Sequence, residues 1–234
     1  DETDSTDIST RAIWANIQVV EETPGLARVS VELNVGGPSG TNINLSNNER
    51  LEASIGGSSK VLDKDIDLFD IEYNTRLETS GFNDVIRVSY FRSDGITLNG
   101  SVVSLSDDFS ITSPGEGQTF FDSDVISVTW TPVQDSTGGS IDLRTHMQCR
   151  TLSGSSFVSS PVRTVPDTGI ASIQLLSETS LDNPELDKTK SCALSIILER
   201  RKKGVLDPAF KSGGKIESTQ SRKVENMTII FSNN

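Results

Sequence analysis

The chain has 234 residues, of which 34% are hydrophobic and 23% are charged, and its formal net charge is −12. This length suits two domains of ordinary size, and the apolar content is too high for a disordered chain. The acidic balance argues against nucleic acid as the partner of the whole chain. Since no apolar run approaches the ~18 residues that a membrane helix needs, we expect two folded domains and no transmembrane segment.

The first ten residues are polar and acidic, and the chain opens on Asp1-Glu2-Thr3-Asp4. A solvated segment of this kind is typical of the start of a mature secreted protein or a trimmed lipoprotein. We expect residues 1–10 to form a flexible acidic tether, whether or not a lipid anchor precedes residue 1.

From Ile13 onward, apolar and polar residues alternate with period two, which predicts β-strands rather than helices. Residues 13–20 and 28–35 alternate in this way on either side of a turn at Thr23-Pro24-Gly25, and shorter alternating segments follow up to Leu105. About seven strands over ~100 residues is the number expected of an immunoglobulin-like sandwich. We therefore predict a first domain over residues 11–109.

The same alternation restarts after a turn at Ser113-Pro114-Gly115. It recurs at residues 126–130, 141–149 and 192–198 and at the end of the chain. We predict a second sandwich over residues 110–234, and hence an all-β fold of two tandem immunoglobulin-like antiparallel β-sandwiches.

One stretch of the second domain carries a resemblance to a known family. The segment Ile126-Ser127-Val128-Thr129-Trp130-Thr131-Pro132, preceded by Ile111-Thr112-Ser113-Pro114, resembles the opening of a fibronectin type III or related bacterial immunoglobulin-like module. The resemblance covers mainly residues 110–200 and departs from the family where Cys192 replaces a core tyrosine. The whole chain is also similar to uncharacterised bacterial cell-envelope lipoproteins with paired domains. This implies a fold and an extracytoplasmic location but no activity.

The two cysteines form the clearest site in the sequence. Cys149 and Cys192 both fall on the apolar side of their strands, and if these are the third and sixth strands, their ends meet at disulfide distance. A bridge between residues 43 apart in the chain would stabilise the fold by at most ~4 kcal/mol in the chain-entropy model. The alternative is two buried free thiols in a reducing compartment.

No motif for catalysis, a cofactor or a metal is recognisable. His146 is the only histidine and lies on the polar side of its strand, without an orienting acid beside it. The acidic run 63–67 lacks the glycine and distal glutamate of a calcium loop. Asp107, Asp108, Asp122 and Asp124 bracket the domain junction, where exposed loop carboxylates are a better interpretation than a calcium site. We expect no enzyme activity and no cofactor.

The charge is unevenly distributed along the chain. Residues 1–187 hold 11 basic and 29 acidic side chains, whereas residues 188–225 hold 10 basic and 4 acidic ones. Arg200, Arg201, Lys202 and Lys203 are interpreted as a basic hairpin tip that contacts an anionic partner or the acidic domain of a second copy, in weak head-to-tail self-association. The alternative is a lysine-rich tip that keeps a sheet edge soluble.

These observations favour a non-catalytic extracytoplasmic binding or structural module of the cell envelope. Its expected partner is a protein, an anionic polysaccharide or the envelope surface. The alternative is an accessory carbohydrate-binding component of a secreted enzyme system, which the low aromatic content of 6% disfavours.

Overall fold

The computed structural model describes residues 2–66, 70–132 and 139–232. The predicted all-β fold is confirmed. Within these ranges, helix is confined to two 3-10 turns (Ser5–Asp7 and Thr10–Ala12) and one short α-helix, α1 (Leu175–Glu178). None of the described helices is long and apolar enough to cross a membrane.

The residues form two compact units that differ from the predicted domains. Unit 1 contains Asp1–Asp108 and Arg201–Gln220, and unit 2 contains Phe109–Arg200 and Ser221–Asn234. Residues 201–220 were expected in the second domain, whereas they pack with the first. The last two strands are 12 and 17 residues long, and each begins in one unit and ends in the other. No turn marks the change of unit within either strand, so the sequence pattern does not reveal the boundary.

Unit 1 contains ten complete strands, the last three residues of the next-to-last strand (201–203) and the first part of the last strand of the chain. Their bounds are β1 (Glu2–Asp4), β2 (Ile13–Thr23), β3 (Leu26–Val35), β4 (Asn42–Asn44), β5 (Arg50–Ile55), β6 (Ser58–Val61), β7 (Asp63–Ile66), β8 (Ile71–Glu78), β9 (Val85–Phe91) and β10 (Thr97–Ser104).

Two sheets enclose the core of unit 1. In the larger sheet, β3 pairs with β2, β4 and β8, while β1 runs parallel to β4 and β7 pairs with β8. Residues 214–220 of the last strand add to β2 in parallel. The smaller sheet has the order β10-β9-β5-β6. Gly214 permits the close approach to β2, because a Cβ there would lie 2.0 Å from the carbonyl oxygen of Ala15.

The expected flexible tether is wrong for residues 2–10. β1 pairs with β4, and Ser5 is fully buried. The buried guanidinium of Arg92 donates to the carbonyl oxygens of Ser5 (2.7 Å) and Ile8 (2.8 Å) and to Thr10 Oγ1 (2.7 Å). These charge-assisted hydrogen bonds hold the segment against unit 1. The polar composition of residues 1–10 does not predict them, because their donor, Arg92, is distant in the sequence.

Unit 2 contains the remaining strands. Their bounds are β11 (Ile111–Ser113), β12 (Thr119–Phe121), β13 (Val125–Trp130), β14 (Ser140–Arg150), β15 (Ser156–Ser159), β16 (Val162–Pro166), β17 (Ile170–Gln174), β18 (Cys192–Lys203) and β19 (Gly214–Ile230), of which the last two also extend into unit 1.

The sheets of unit 2 form a sandwich around a second core. The larger sheet has the order β12-β19-β18-β14, and both β15 and β16 pair with β14. The smaller sheet is β11-β13-β17. Because side chains alternate between the two faces of each strand, the inward residues form one apolar cluster. The outward residues of β12, β19, β18, β14 and β15 share one solvent-exposed face.

Candidate functional site

The predicted disulfide is present. Cys149 lies at the end of β14 and Cys192 begins β18, and the two strands are antiparallel neighbours in which Gln148 faces Ala193. The two sulfur atoms are bonded, the Cα atoms are 4.4 Å apart and both side chains are buried. The inward register of the two strands therefore brings the cysteines together as expected.

The predicted basic tip is not a single surface. Arg200 belongs to unit 2 and is buried, whereas Arg201, Lys202 and Lys203 belong to unit 1. All four residues lie within β18, so they are not a hairpin tip. Arg200 follows Ile196 and Leu198 on the inward face at period two, which excludes it from an anionic-partner contact.

Arg200 instead forms an internal ion pair. Its guanidinium donates to both carboxylate oxygens of Asp167 at 2.7 and 3.0 Å and to the carbonyl oxygen of Thr131 at 3.0 Å. Trp130 Nε1 also donates to Asp167, at 2.8 Å. The guanidinium lies 4.1 Å from the centre of the Phe109 ring. The side chains of Arg200, Asp167, Trp130 and Phe109 are all buried, so we assign the cluster a structural role.

The other candidate residues also have local partners. His146 Nδ1 lies 3.2 Å from Ser160 Oγ. Asp107 accepts from the amide of Asn83, and Asp124 accepts from the amide of Phe121. Within the described ranges, no group of three or more histidine, cysteine or acidic residues is placed to hold a metal ion. Asp67 of the acidic run lies outside the described residues.

Three adjoining clefts lie along one end of the larger sheet of unit 2, and together we call them the groove. The first measures about 510 Å³ and lies between Lys188–Ser191 and Ile230–Ser232, with Asp122 beside it. The second measures about 690 Å³ and shares Ser191 with the first. The third measures about 580 Å³ and shares Ser156 with the second.

The groove follows the order of the strands. Its lining passes from β12 and β19 through β18 and β14 to the β14–β15 hairpin. Five strands at a spacing of about 4.8 Å span roughly 19 Å. The groove is therefore long enough for several units of an extended polymer.

The polar side chains of the second cleft come from the outward positions of three strands, β14, β15 and β19, and from the residue that precedes β18. They are Gln148, Arg150, Ser156, Ser191, Asn226 and Thr228. Gln148 Nε2 donates to Ser156 Oγ at 2.9 Å, and Arg150 donates to the carbonyl oxygen of Gly154 at 3.1 Å. The third cleft is more apolar, with Leu152, Phe157 and Pro184 in its lining.

The first cleft combines two lysines with one carboxylate. Lys188 and Lys190 are exposed. Asp122 accepts from the amide of Ser232 at 3.0 Å and from its hydroxyl at 2.6 Å. Burial raises the pKa of Asp122, but the hydrogen bonds from Ser232 outweigh it and leave the pKa below its ordinary value. Asp122 is therefore ionised at neutral pH and can accept from a ligand hydroxyl.

The groove has no distinctive signature in the sequence. Lys188 and Lys190 fall in the basic stretch 188–225, but nothing in the sequence distinguishes the serines, threonine and amides of the second cleft from other polar residues. Their outward register on β14, β18 and β19 was predictable, yet every solvated strand face has the same signature. The signal that could have separated them, the adjacency of β12, β19, β18, β14 and β15, is a property of the fold.

No family model and no curated protein matches the chain. Among solved structures, it is similar to fibronectin(III)-like modules of Clostridium thermocellum CbhA, with 10% identity, a TM-score of 0.25 and coverage of 93% of this chain and 91% of that one. It is similar to Dpr2 Ig1-Ig2, solved in complex with DIP-Theta Ig1-Ig3, with 8% identity, a TM-score of 0.27 and coverage of 94% and 100%.

A third similar structure is the Bacteroides ovatus SGBP-B from a mixed-linkage glucan utilization locus, in complex with a mixed-linkage heptasaccharide. Identity is 10%, the TM-score is 0.21, and coverage is 99% of this chain and 65% of that one. At TM-scores this low, the likeness assigns neither a ligand nor an activity to the chain.

Proposed function

We propose that the chain is a non-catalytic binding module that works outside the cytoplasm and holds an extended ligand in the groove of unit 2. The observation that carries the proposal is the continuity of three clefts through Ser191 and Ser156 across five strands of one sheet. A groove of this length suits a polymer better than a compact small molecule.

The chemistry of the lining supports binding rather than turnover. Ser, Thr, Asn and Gln side chains both donate and accept hydrogen bonds but are poor acids, bases or nucleophiles without an activating partner. The two sulfur atoms beside the second cleft are joined in the disulfide, and His146 lies outside the lining of the three clefts. The same lining also favours the alternative of an accessory carbohydrate-binding component.

The disulfide supports the location. Disulfides persist in oxidising compartments such as the periplasm, the cell surface and the extracellular medium, and they are rare in the cytosol. Alkylation of the unfolded protein from its native source, without reductant, should leave Cys149 and Cys192 unmodified. Two alkylated thiols would place the protein in a reducing compartment.

The binding proposal is tested by blocking the groove. Ala193 lines the second cleft and is exposed, so Ala193→Trp would fill the cleft without entering the core. Ser127→Trp is the matched control, because Ser127 is exposed on the smaller sheet of the same unit.

Labelled full chain would be applied to an array of neutral and acidic polysaccharides and of peptides. We expect the wild type and Ser127→Trp to bind the same ligands and Ala193→Trp to lose them. If Ala193→Trp keeps every ligand, or if the wild type binds nothing on the array, the groove is not the binding site.

A further inference from the structure

The groove concentrates positive charge within an acidic unit. Unit 2 has 8 basic and 12 acidic side chains in all. The lining of the groove nevertheless has three basic side chains, Lys188, Lys190 and Arg150, against two acidic ones, Asp122 and Glu185. Cations gathered in a concave surface raise the local concentration of anions there. A ligand of this groove therefore gains from carrying negative charge near its Lys188 end.

The rest of the lining matches the hydroxyl groups of a sugar chain. Each sugar hydroxyl donates and accepts a hydrogen bond, and so do the side chains of Gln148, Ser191, Asn226 and Thr228. The carboxylate of Asp122 adds an acceptor in the first cleft. Phe231, which is half-buried and lines the same cleft, presents an aromatic surface to the apolar side of a sugar ring.

The position of the groove disfavours a peptide. Extended peptides commonly bind by adding a strand to an open sheet edge, where main-chain groups supply the affinity. The groove instead crosses one end of the sheet, where Gln148 of β14 already pairs with Ala193 of β18 and with Val158 of β15. We therefore expect side chains to supply most of the contacts to a ligand.

We infer that the groove binds an acidic polysaccharide, with the ligand carboxylates at Lys188 and Lys190 and the sugar hydroxyls along the second cleft. The inference rests on the proposed function and adds the class of ligand. Its chemistry is that of a uronic acid polymer, in which each sugar has one carboxylate and several hydroxyls.

The test is isothermal titration calorimetry of the full chain with three probes: hexagalacturonate, its methyl ester and hexaglutamate. We expect the acidic sugar to bind with a dissociation constant that rises with salt, because exposed charge pairs are screened. Its methyl ester should bind about five- to tenfold more weakly, and hexaglutamate should bind more weakly still.

Two double variants separate the groove from charge in general. Lys188→Gln/Lys190→Gln should weaken hexagalacturonate binding about five- to tenfold and leave the methyl ester unchanged. Lys202→Gln/Lys203→Gln removes the same charge from unit 1 and should change binding less than twofold.

Three results would overturn the inference. Equal loss in both double variants would mean that net charge, and not the groove, attracts the ligand. Equal affinity for the acid and its ester would leave the proposed function standing and remove the acidic ligand class. Absence of hexagalacturonate binding, or tighter binding of hexaglutamate, would also exclude an acidic polysaccharide as the ligand. The array with Ala193→Trp would then still test whether the groove binds any ligand.

Discussion

Each unit contains a buried ion pair between an arginine and a carboxylate, and these two pairs are built differently. In unit 2, Arg200 and Asp167 contact each other through two hydrogen bonds, with both side chains less than 5% exposed. In unit 1, Arg92 and Glu49 approach only to 3.5 Å. The first is a bidentate ion pair, which is the stronger geometry for two buried charges.

The charges of the unit 1 pair are satisfied mainly by neutral groups. Arg92 donates to the N-terminal segment, as described above. Glu49 accepts from the Tyr90 hydroxyl at 2.6 Å and from the amide and hydroxyl of Ser93 at 3.1 and 3.0 Å. The comparison shows that a buried arginine can hold a carboxylate, as in unit 2, or can fix a chain segment, as in unit 1.

The largest effect is expected from Arg200→Met. The change leaves the carboxylate of Asp167 buried with Trp130 Nε1 as its remaining donor among the hydrogen bonds described above, and loss of one partner of a buried ion pair typically costs about 3–5 kcal/mol. The chain has two tryptophans, Trp14 in unit 1 and Trp130 in unit 2. Urea unfolding followed by Trp130 fluorescence in a Trp14→Phe background would therefore report on unit 2.

The double variant Arg200→Met/Asp167→Asn is the control for this prediction. It removes the stranded charge and should recover at least half of the lost stability, because the asparagine oxygen still accepts from Trp130. If Arg200→Met lowers the free energy of unfolding by less than about 1 kcal/mol, the bidentate ion pair of unit 2 is not the stronger of the two pairs.

Arg92→Met is expected to have a smaller effect and to lower the free energy of unfolding by about 2–3 kcal/mol. Three hydrogen bonds to residues 5–10 are lost, but Glu49 keeps its neutral donors. Hydrogen exchange followed by mass spectrometry should show faster exchange in residues 2–12 and no change in β13 and β17. Arg87→Met, which changes an exposed arginine on β9, is the control. Unchanged protection of residues 2–12 would contradict the role given to Arg92.

The smallest effect concerns pH. Burial raises the pKa of Glu49, but hydrogen bonds from Tyr90, Ser5 and Ser93 outweigh it and hold the pKa below its ordinary value. A lowered pKa gives stability that is present above the ordinary value of about 4.5 and is lost as pH falls through and below it. Unit 1 should therefore lose stability as the pH falls below about 4.5, and Glu49→Gln should make that loss shallower.

The pH prediction has a matched control in Glu78→Gln, which changes an exposed carboxylate at the end of β8. The urea midpoint of unit 1, followed by Trp14 fluorescence in a Trp130→Phe background, would be measured at each pH. If the urea midpoint falls with pH equally steeply in Glu49→Gln and in the wild type, Glu49 does not cause the loss of stability at low pH.

Period-two alternation predicted the strands and the side of each strand that faces the core. This was enough for the disulfide, because Cys149 and Cys192 share the inward register. The same rule, continued two residues beyond Leu198, places Arg200 inside, so its burial was also predictable. Its charge nevertheless favoured an exposed position on the basic tip, because a buried arginine requires a partner. That partner, Asp167, lies 33 residues away in the chain and is not evident from the sequence.

The parts of the fold that could not be predicted depend on long-range pairing. Alternation does not tell which strand is the neighbour, so it could not assign residues 201–220 to unit 1, nor order β12, β19, β18, β14 and β15 into the face that carries the groove. The N-terminal segment was unpredictable for the same reason, since its partner Arg92 is more than 80 residues away.

The most direct test of the central claim is a heteronuclear NMR titration of the isotope-labelled full chain with hexagalacturonate. The account predicts that the amide shifts concentrate at Gln148, Ser191 and Thr228 and at Lys188 to Lys190, while residues 201–203 stay unchanged. Shifts centred on residues 201–203, or no shifts at saturating ligand, would contradict it.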